Sequence, residues 1–367
     1  MSLTNGLVRL DDFDAAWATR AHGKKLRAIR SAAEKVHDRF ASGPRVVSVR
    51  TFDLVTLPYP TKFAFNGFAS SPAPYVTLTH RCLLVQFMQQ GALKNLLFNP
   101  TDLEGARATP YLARIVQKYG AFESVMSKKF DPLEVHLERV GISPADIDYV
   151  AFDHFHTQDI RRLVGTNDGA YRSRFPNATL LAPKCEWEDW DDLHPLQEWF
   201  FVRDGKKDVQ TKKVALIEGD YALGDGVMLL RTPGHTSGNQ TLFLSTEHGV
   251  WGISENGTCV DSWSPLESRI PGLAATCRAR DADIALNSNT PEEASNQYTS
   301  MILERTLVDR VKRAPAFVQM FSSSEITPGL LAPALSPTLL HKGISTGEVS
   351  RPAATKQEPG FRVALSP

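Results

Sequence analysis

An α+β fold is predicted, with two mixed β-sheets packed face to face and helices on the outside. Two observations predict it. Strand-like, helix-like and strand-like stretches alternate, and the alternation occurs in two halves of the chain. At 367 residues, with 42% hydrophobic and 22% charged content, the chain is long enough to bury a large core and is not of a disordered or fibrous class.

The elements follow in order. Leu26, Ile29, Ala33, Val36 and Phe40 recur at spacings of three and four, which predicts helix from about Asp11 to Phe40 with one apolar stripe. Residues 1–44 therefore form an N-terminal helical extension. Arg45 to Val55 reads as a strand, and Tyr75–Thr79 and Cys82–Phe87 as further short strands. Pro58, Pro60, Pro72 and Pro74 bracket a loop between them, whose Tyr59, Phe63, Phe65 and Phe68 either form a lid or pack against the N-terminal helix. Leu96–Phe98 is a strand ending at Asn99 to Asp102, with Asp102 in a structural role.

Pro110 to Met126 and Pro132 to Val140 read as helices, the first opened by Thr109 with proline in its first turn. Gly141 stops the second, and a turn leads to the apolar strand Tyr149 to Phe152. Another strand passes through Thr179 to Leu181, followed by a helix around Glu186 to Trp190. Trp187, Trp190, Trp199, Phe200 and Phe201 cluster on or beside an expected insertion between Leu193 and Asp208, as core or as an apolar wall. Ser300 to Val318 has a helical pattern, and residues 45–320 are read as one domain. Beyond Phe321 the chain is rich in Pro, Ser, Ala and Thr without periodicity, so 321–367 is expected as an extended arm. It either wraps over the core or crosses to a neighbouring subunit, as in a homo-oligomer.

The chemistry of the chain lies in its histidines. His154 and His156 flank Phe155 directly after a strand, and residues two apart there project to one side. A distant His235, in Thr-Pro-Gly-His-Thr, can complete a set of three. Neutral imidazole suits zinc and iron, and three protein nitrogens leave a fourth position open for water. An ion so held lowers the pKa of water toward neutrality. Asp153 either orients a histidine or caps the following turn. His80, His194 and His248 lie in no ligand-spaced motif, and His22, His37, His136 and His341 fall on helices or in the tail.

The stretch Gly141 to His156, together with Gly226 to Gly238, resembles the metallo-β-lactamase fold superfamily, and phrases similar to it run from about Val46 to Pro291. The resemblance implies an αββα sandwich and a metal-activated hydrolase acting on a small molecule. It also locates departures. Where the family pattern has an aspartate and then a histidine after His156, this chain reads Thr157-Gln158-Asp159-Ile160. Either Gln158 and Asp159 replace the pair position for position, or a one-residue shift makes Asp159 the carboxylate. Glu255 stands in for the family's bridging aspartate, and Asn289 stands near its last histidine. The implied metal ligands are His154, His156, His235, Asp159 and Glu255, with Asp159 as general base and Glu255 as fourth ligand or as acceptor for an imidazole N–H. With most of the second site lost, one ion is expected, zinc first and iron or manganese as alternatives. A neutral ester, lactone or amide suits one ion better than a phosphodiester, which gains from two. The competing expectation is a catalytically silent member of the fold that binds a ligand or partner.

Lys plus Arg and Asp plus Glu both number 41, so no net basic field draws nucleic acid. No apolar run approaches the roughly 18 residues of a membrane span, and Met1 to Gly6 lack an export-signal pattern, so a cytoplasmic location is expected. Cys82, Cys185, Cys259 and Cys277 are scattered without C-x-x-C spacing and read as reduced small hydrophobes; of these Cys259, four residues past Glu255, is the one near enough in sequence to approach the site.

Overall fold

In the computed structural model, residues 4, 6–120, 127–287, 290–330 and 332–351 are described. Fifteen strands are named among them: β1 (Val8–Leu10), β2 (Ser48–Pro60), β3 (Tyr75–Gln89), β4 (Ala92–Phe98), β5 (Tyr149–Ala151), β6 (Thr179–Pro183), β7 (Val214–Ile217), β8 (Asp220–Gly224), β9 (Val227–Arg231), β10 (Gln240–Thr246), β11 (Gly249–Ile253), β12 (Arg310–Val311), β13 (Ala314–Val318), β14 (Met320–Phe321) and β15 (Ser324–Thr327).

They form two large sheets and a small β12–β13 hairpin. One large sheet runs β15-β3-β4-β5-β6-β7, with β2 also paired to β3; the other runs β1-β8-β9-β10-β11-β14. Both are mixed. The β4 to β7 pairs are parallel while β2, β4 and β15 pair antiparallel to β3, and β11–β14 is the one parallel pair of the second sheet.

Period-two alternation makes the sandwich. On β3, Leu83, Val85 and Phe87 face the other sheet, where Val227, Leu229, Leu242 and Leu244 meet them in one buried cluster. The opposite faces are also apolar and take helices. Met228, Leu230 and Phe243 pack against Ile29, Ala33 and Val36 of the helix His22–Ala41 and against Met301, Ile302 and Leu303 of the helix Ala294–Leu307. Leu84, Leu97, Val150 and Leu180 pack against Leu133 and Leu137 of the helix Leu133–Val140. At roughly 25 cal/mol per Å² of apolar area removed from water, these layers supply the main drive to fold. Helices outside two mixed sheets are the predicted αββα architecture.

Several boundaries differ from expectation. The N-terminal helix breaks between Trp17 and His22, and β1 pairs with β8, so the extension adds an edge strand to the second sheet. Strand β2 continues through Pro58 and Pro60, and Tyr75 to Gln89 is one strand; proline is tolerated at Pro58 because β3 is the one named strand paired with β2 and the bridges on the other side of β2 lie at Val49 and Val55. Phe65 and Phe68 pack neither as a lid nor on the N-terminal helix but beside Leu273 and Cys277, and Cys259 is buried in the same cluster. The helix expected from Pro110 spans Pro110–Tyr119, and residues 121–126 of that expectation lie outside the described residues. The pattern at 300–318 resolves into the helix Ala294–Leu307 and β13, because Pro315 cannot continue a helix and Phe317 and Val318 favour strand. Gly141 does end its helix, in the left-handed conformation (φ 76°) that glycine adopts without a Cβ penalty.

The largest difference concerns the arm. Ser324–Thr327 is an edge strand paired to β3, with Ser322, Ser323 and Glu325 fully buried. Polar composition hid it from hydropathy. Further on, Thr346 bridges to Val49, and Arg50 donates to the carbonyls of Thr346 and Gly347, so the arm runs along β2. Among the described residues, no helix is long and apolar enough to cross a membrane.

Glu325 receives a buried ion pair from Arg81 (2.8 Å), whose Nε also meets the half-exposed Asp53 at 2.7 Å. Removing one partner of such a pair leaves a buried charge. Glu325→Ala is therefore expected to destabilise the protein by about 3 kcal/mol, the low end of the range because Asp53 remains. Denaturant unfolding reads this, and a loss under about 1 kcal/mol would contradict a structural role for β15.

Candidate metal centre

The three imidazoles meet where the two sheets come together at their ends. Strand β5 ends at Ala151 and delivers His154 and His156, while β9 ends at Arg231 and is followed by Thr232-Pro233-Gly234-His235. Gln240, at the start of β10, ties the ends together: its N–H donates to the Asp153 carbonyl (2.8 Å) and its side chain to the Phe152 carbonyl (2.7 Å). Gly234 must be glycine for steric reasons, since a Cβ there would lie 2.6 Å from both Asn256 Oδ1 and Gln297 Cα. That close approach lets Asn256 Oδ1 accept the His235 N–H at 2.8 Å.

All three rings are buried, and one ligand atom of each lies within 4.8 Å of the others. His156 Nδ1 and His235 Nε2 are 3.2 Å apart, close to the edge of roughly 3.3 Å that a tetrahedron with 2.0–2.1 Å metal–nitrogen bonds requires. The outer nitrogens are engaged. Asp153 Oδ1 lies 2.7 Å from His154 Nδ1, which leaves Nε2 facing inward. Gln197 Oε1 accepts from His156 Nε2 at 2.7 Å, and the Asn287 amide nitrogen lies 3.2 Å from His235 Nδ1. In its donors and in the partners of His154 and His156 the cluster fits a metal ion.

Electrostatics divide the rings. Burial, together with the neighbouring His154 charge, holds His156 and His235 well below the ordinary histidine value, so both present lone pairs at neutral pH. Burial works against a charged His154 as well, but the Asp153 carboxylate outweighs it and raises His154. Asp153 itself is opposed by burial and is nevertheless lowered, by His154, Ser323 and Asn99. Its Oδ2 accepts from Asn99 (2.9 Å) and Ser323 (2.8 Å). Of the two readings open for Asp153, it orients a histidine, and it also accepts its neighbour's backbone N–H at 2.9 Å.

The other candidates separate. Asp159 is buried beneath the helix Leu103–Ala106, and both its oxygens are taken by Arg161 at 2.9 and 2.7 Å. It is outside the three-histidine cluster and does not line the cavity, so the expected base is instead an ion-pair partner. Glu255 does line the cavity, where burial pushes it up to about 8, and it accepts the Ser324 N–H. It is not within the ligand-atom cluster. Asn289 lies outside the described residues. Thr157 takes a left-handed φ of 61°, uncommon for a β-branched residue, with its N–H held by the Phe200 carbonyl at 2.7 Å. After that reversal the Gln158 amide donates to Thr101 Oγ1 at 3.0 Å.

Four residues escaped the sequence reading. His80, which lines the cavity, bonds Ser324 Oγ (2.9 Å) and Thr101 Oγ1 (2.8 Å), and burial lowers it to about 4. Gln197, Asn287 and Glu186 reach the histidine-bearing segments from far along the chain. Of the four, His80 falls in the sequence between the two short strands expected at Tyr75–Thr79 and Cys82–Phe87, in no ligand-spaced motif. The aromatic cluster splits: Trp190 and Phe201 are core, while Phe200 lines the cavity with its ring centroid 5.0 Å from that of His156. The remaining cavity wall is largely apolar, from Val55, Leu57, Leu78, Tyr111, Leu112 and Ile115.

No known family model matches the chain. N-acyl homoserine lactonases of Bacillus sp and Bacillus thuringiensis are 35% and 36% identical to it over 112 and 111 residues, in each case 30% of this chain and 38% of the relative. The chain thus matches well under half the length of these curated relatives. Among solved structures, a probable metal-dependent hydrolase from Staphylococcus aureus has a TM-score of 0.45 at 15% identity, covering 61% of this chain and 78% of that one. A quorum-quenching N-acyl homoserine lactone lactonase has a TM-score of 0.44 at 20% identity, covering 65% and 88%.

Two predictions follow from the geometry and the buried charges. Asp153→Asn keeps the side-chain shape but removes the charge on His154, and metal affinity is expected to fall about tenfold, read by chelator competition. Unchanged affinity would deny the carboxylate its orienting role. Glu186, Glu304 and Glu325 are pushed by burial to about 7, and Glu255 to about 8, from an ordinary 4.5. A folded pKa above the unfolded one gives stability that is present at low pH and lost as pH rises through the folded value. His80 and His341, lowered to about 4, act in the opposite sense but only below their ordinary 6.5. The metal-free protein should therefore melt at lower temperature at pH 8.5 than at pH 6.5, by a few degrees in calorimetry, and a rising profile would contradict the buried carboxyls.

Proposed function

We propose that this chain, which has a metallo-β-lactamase-like fold, is a hydrolase that holds one divalent metal ion, zinc before iron or manganese, and opens an ester, lactone or amide. A single observation carries the reading. Three buried imidazoles turn one nitrogen each toward a common point at the base of an apolar cavity. When bound there, the ion supplies Lewis acidity, polarising a carbonyl oxygen and acidifying water.

The chain's own residues do the rest. Asp153 and Gln197 fix the orientation of His154 and His156. Leu57, Leu78, Tyr111, Ile115 and Phe200 offer an apolar body of the substrate a dry seat, which also strengthens polar contacts at the histidines. Glu255 faces the same cavity, where burial raises its pKa, and it is the carboxyl placed to hand a proton to a leaving oxygen.

A single ion is favoured because the second-site positions are otherwise engaged. Asp159 is neutralised by Arg161, and the Gln158 amide, an inferior ligand, is turned to Thr101. A lactone heads the substrate classes, since the curated relatives are named for that activity. A metal-free binding protein is the second reading, favoured by one contact. The Asn287 amide donates at His235 Nδ1, so His235 Nε2 can donate to His156 Nδ1 and His156 Nε2 to Gln197, a complete chain without an ion.

Metal analysis of the purified protein separates these readings, with one ion per chain expected. His235→Ala should lose the bound ion and reduce hydrolysis of a panel of lactones and esters by about 10³-fold or more. Retained turnover without His235, or a folded wild type that takes up no metal, would overturn the hydrolase reading.

A further inference from the structure

We infer that Glu186 is a positioning residue whose carboxylate clamps the two histidine-bearing loops together and thereby sets the affinity of the three-imidazole site for its ion. The inference rests on the metal-binding reading above. It concerns a residue that supplies no ligand atom.

Glu186 is the third residue of the helix Lys184–Asp189, which begins directly after β6. Only 1% of it is exposed, on a helix whose other two acidic residues, Glu188 and Asp189, are not buried. Its Oε1 accepts the N–H of Phe155 at 2.7 Å, and Phe155 is the residue between His154 and His156. Its Oε2 accepts the hydroxyl of Thr236 at 2.8 Å, and Thr236 is the residue after His235. One loop leaves the sheet that contains β5, the other leaves the sheet that contains β9. The carboxylate therefore spans the gap between the sheets at the level of the ligands, one oxygen to each side. Gln240 joins the same segments, but one step earlier, at Phe152 and Asp153.

The neighbouring backbone is shaped to admit it. A Cβ at Gly238 would lie 2.3 Å from Glu186 Cβ and 2.7 Å from Oε2, so a side chain at that position would push the carboxylate away. Stability alone gives little reason for the arrangement. Burying a carboxylate costs several kcal/mol unless every lone pair is well used, and an apolar side chain would fill the space without that cost. What a carboxylate offers, and an apolar residue does not, is a fixed distance between two hydrogen-bond donors that belong to different loops. Three imidazole nitrogens need such a fixed distance, because an ion with bonds near 2.0–2.1 Å tolerates displacements of only a few tenths of an ångström.

The test uses the full chain and four variants. Glu186→Ala removes the clamp, Gly238→Ala displaces it while the carboxylate is kept, and the double variant combines them. Glu186→Gln keeps an acceptor for Phe155 and turns its amide N–H toward Thr236 Oγ1, which can accept. Zinc affinity by competition with a chromophoric chelator should fall about 10- to 100-fold in Glu186→Ala and in Gly238→Ala. The double variant should be no worse than Gly238→Ala, whose overlap with the Cβ at position 186 remains when the carboxylate is gone. Glu186→Gln should stay within about threefold of wild type, and the visible spectrum of the cobalt-loaded protein should change in the alanine variants but not in the glutamine one. In the metal-free state, amide exchange in residues 153–158 and 234–238 should accelerate together in Glu186→Ala while the strands are unchanged. Should Glu186→Ala fail to fold, Glu186→Asp, one methylene too short to reach both donors, replaces it.

Zinc affinity and cobalt spectra unaltered in both alanine variants would overturn the inference, as would acceleration in one loop alone. A wild type that binds no metal would end the hydrolase reading while the exchange experiment still decided whether Glu186 couples the loops.

Discussion

The Asp153 carboxylate is the group on which the arrangement of this protein's site depends. It is 2% exposed and lies where β4, β5 and the start of β15 come together, and a buried charge there is tolerable only if its lone pairs are filled. Asn99, Ser323, the His154 ring and the His154 backbone fill them. Each of these bonds fixes a different segment. Asn99 follows β4 and Ser323 precedes β15, so a satisfied carboxylate and a closed sheet corner are the same condition. The Asp153 carbonyl reaches across to Gln240, which brings the second sheet into register with the first.

From that corner the chemistry follows by a gradient of charge. His154, next to the carboxylate, is raised, whereas His156 and His235, buried and near His154, are held well below the ordinary value. One ring is thus strongly polarised and two are plain lone-pair donors. Around them the cavity wall is mostly apolar, and a low dielectric makes each remaining polar contact count for more than it would in water. Several of the polar groups that face the cavity are linked. Glu255 accepts from Ser324, Ser324 and Thr101 bracket His80, and Gln158 donates to Thr101. In this chain a hydrogen-bonded set of polar groups lines the cavity beside the imidazoles.

The fold gains its second role from the same parts. Strand β15 is not a decorative edge, because Ser324 enters the site from it and Ser323 from just before it, while Glu325 turns to Arg81. The alternation of a strand sends neighbouring side chains to opposite faces, and here that alternation serves the site with one set and the sheet with the other. The N-terminal extension is likewise structural, with β1 hydrogen-bonded to β8 and the helix His22–Ala41 covering the outer face of the second sheet.

What the chain's order of residues determined by itself was periodic and local. Alternating apolar residues specified the inner and outer sheet faces, spacings of three and four specified the covering helices, and Gly141 specified a helix end. His154-Phe155-His156 after a strand, and Thr-Pro-Gly-His, were legible for the same reason, since a ligand pair on one element has a spacing that geometry dictates. Tertiary structure decided everything that depends on which distant groups become neighbours. Asp159 looked like a base until Arg161 curled back to neutralise it, and the polar run at 322–327 looked like an arm until its hydrogen bonds were found in the edge of a sheet. Glu186, Gln197 and Asn287 had no signal because a lone polar residue has no period, and its worth comes from the two or three atoms that folding places around it.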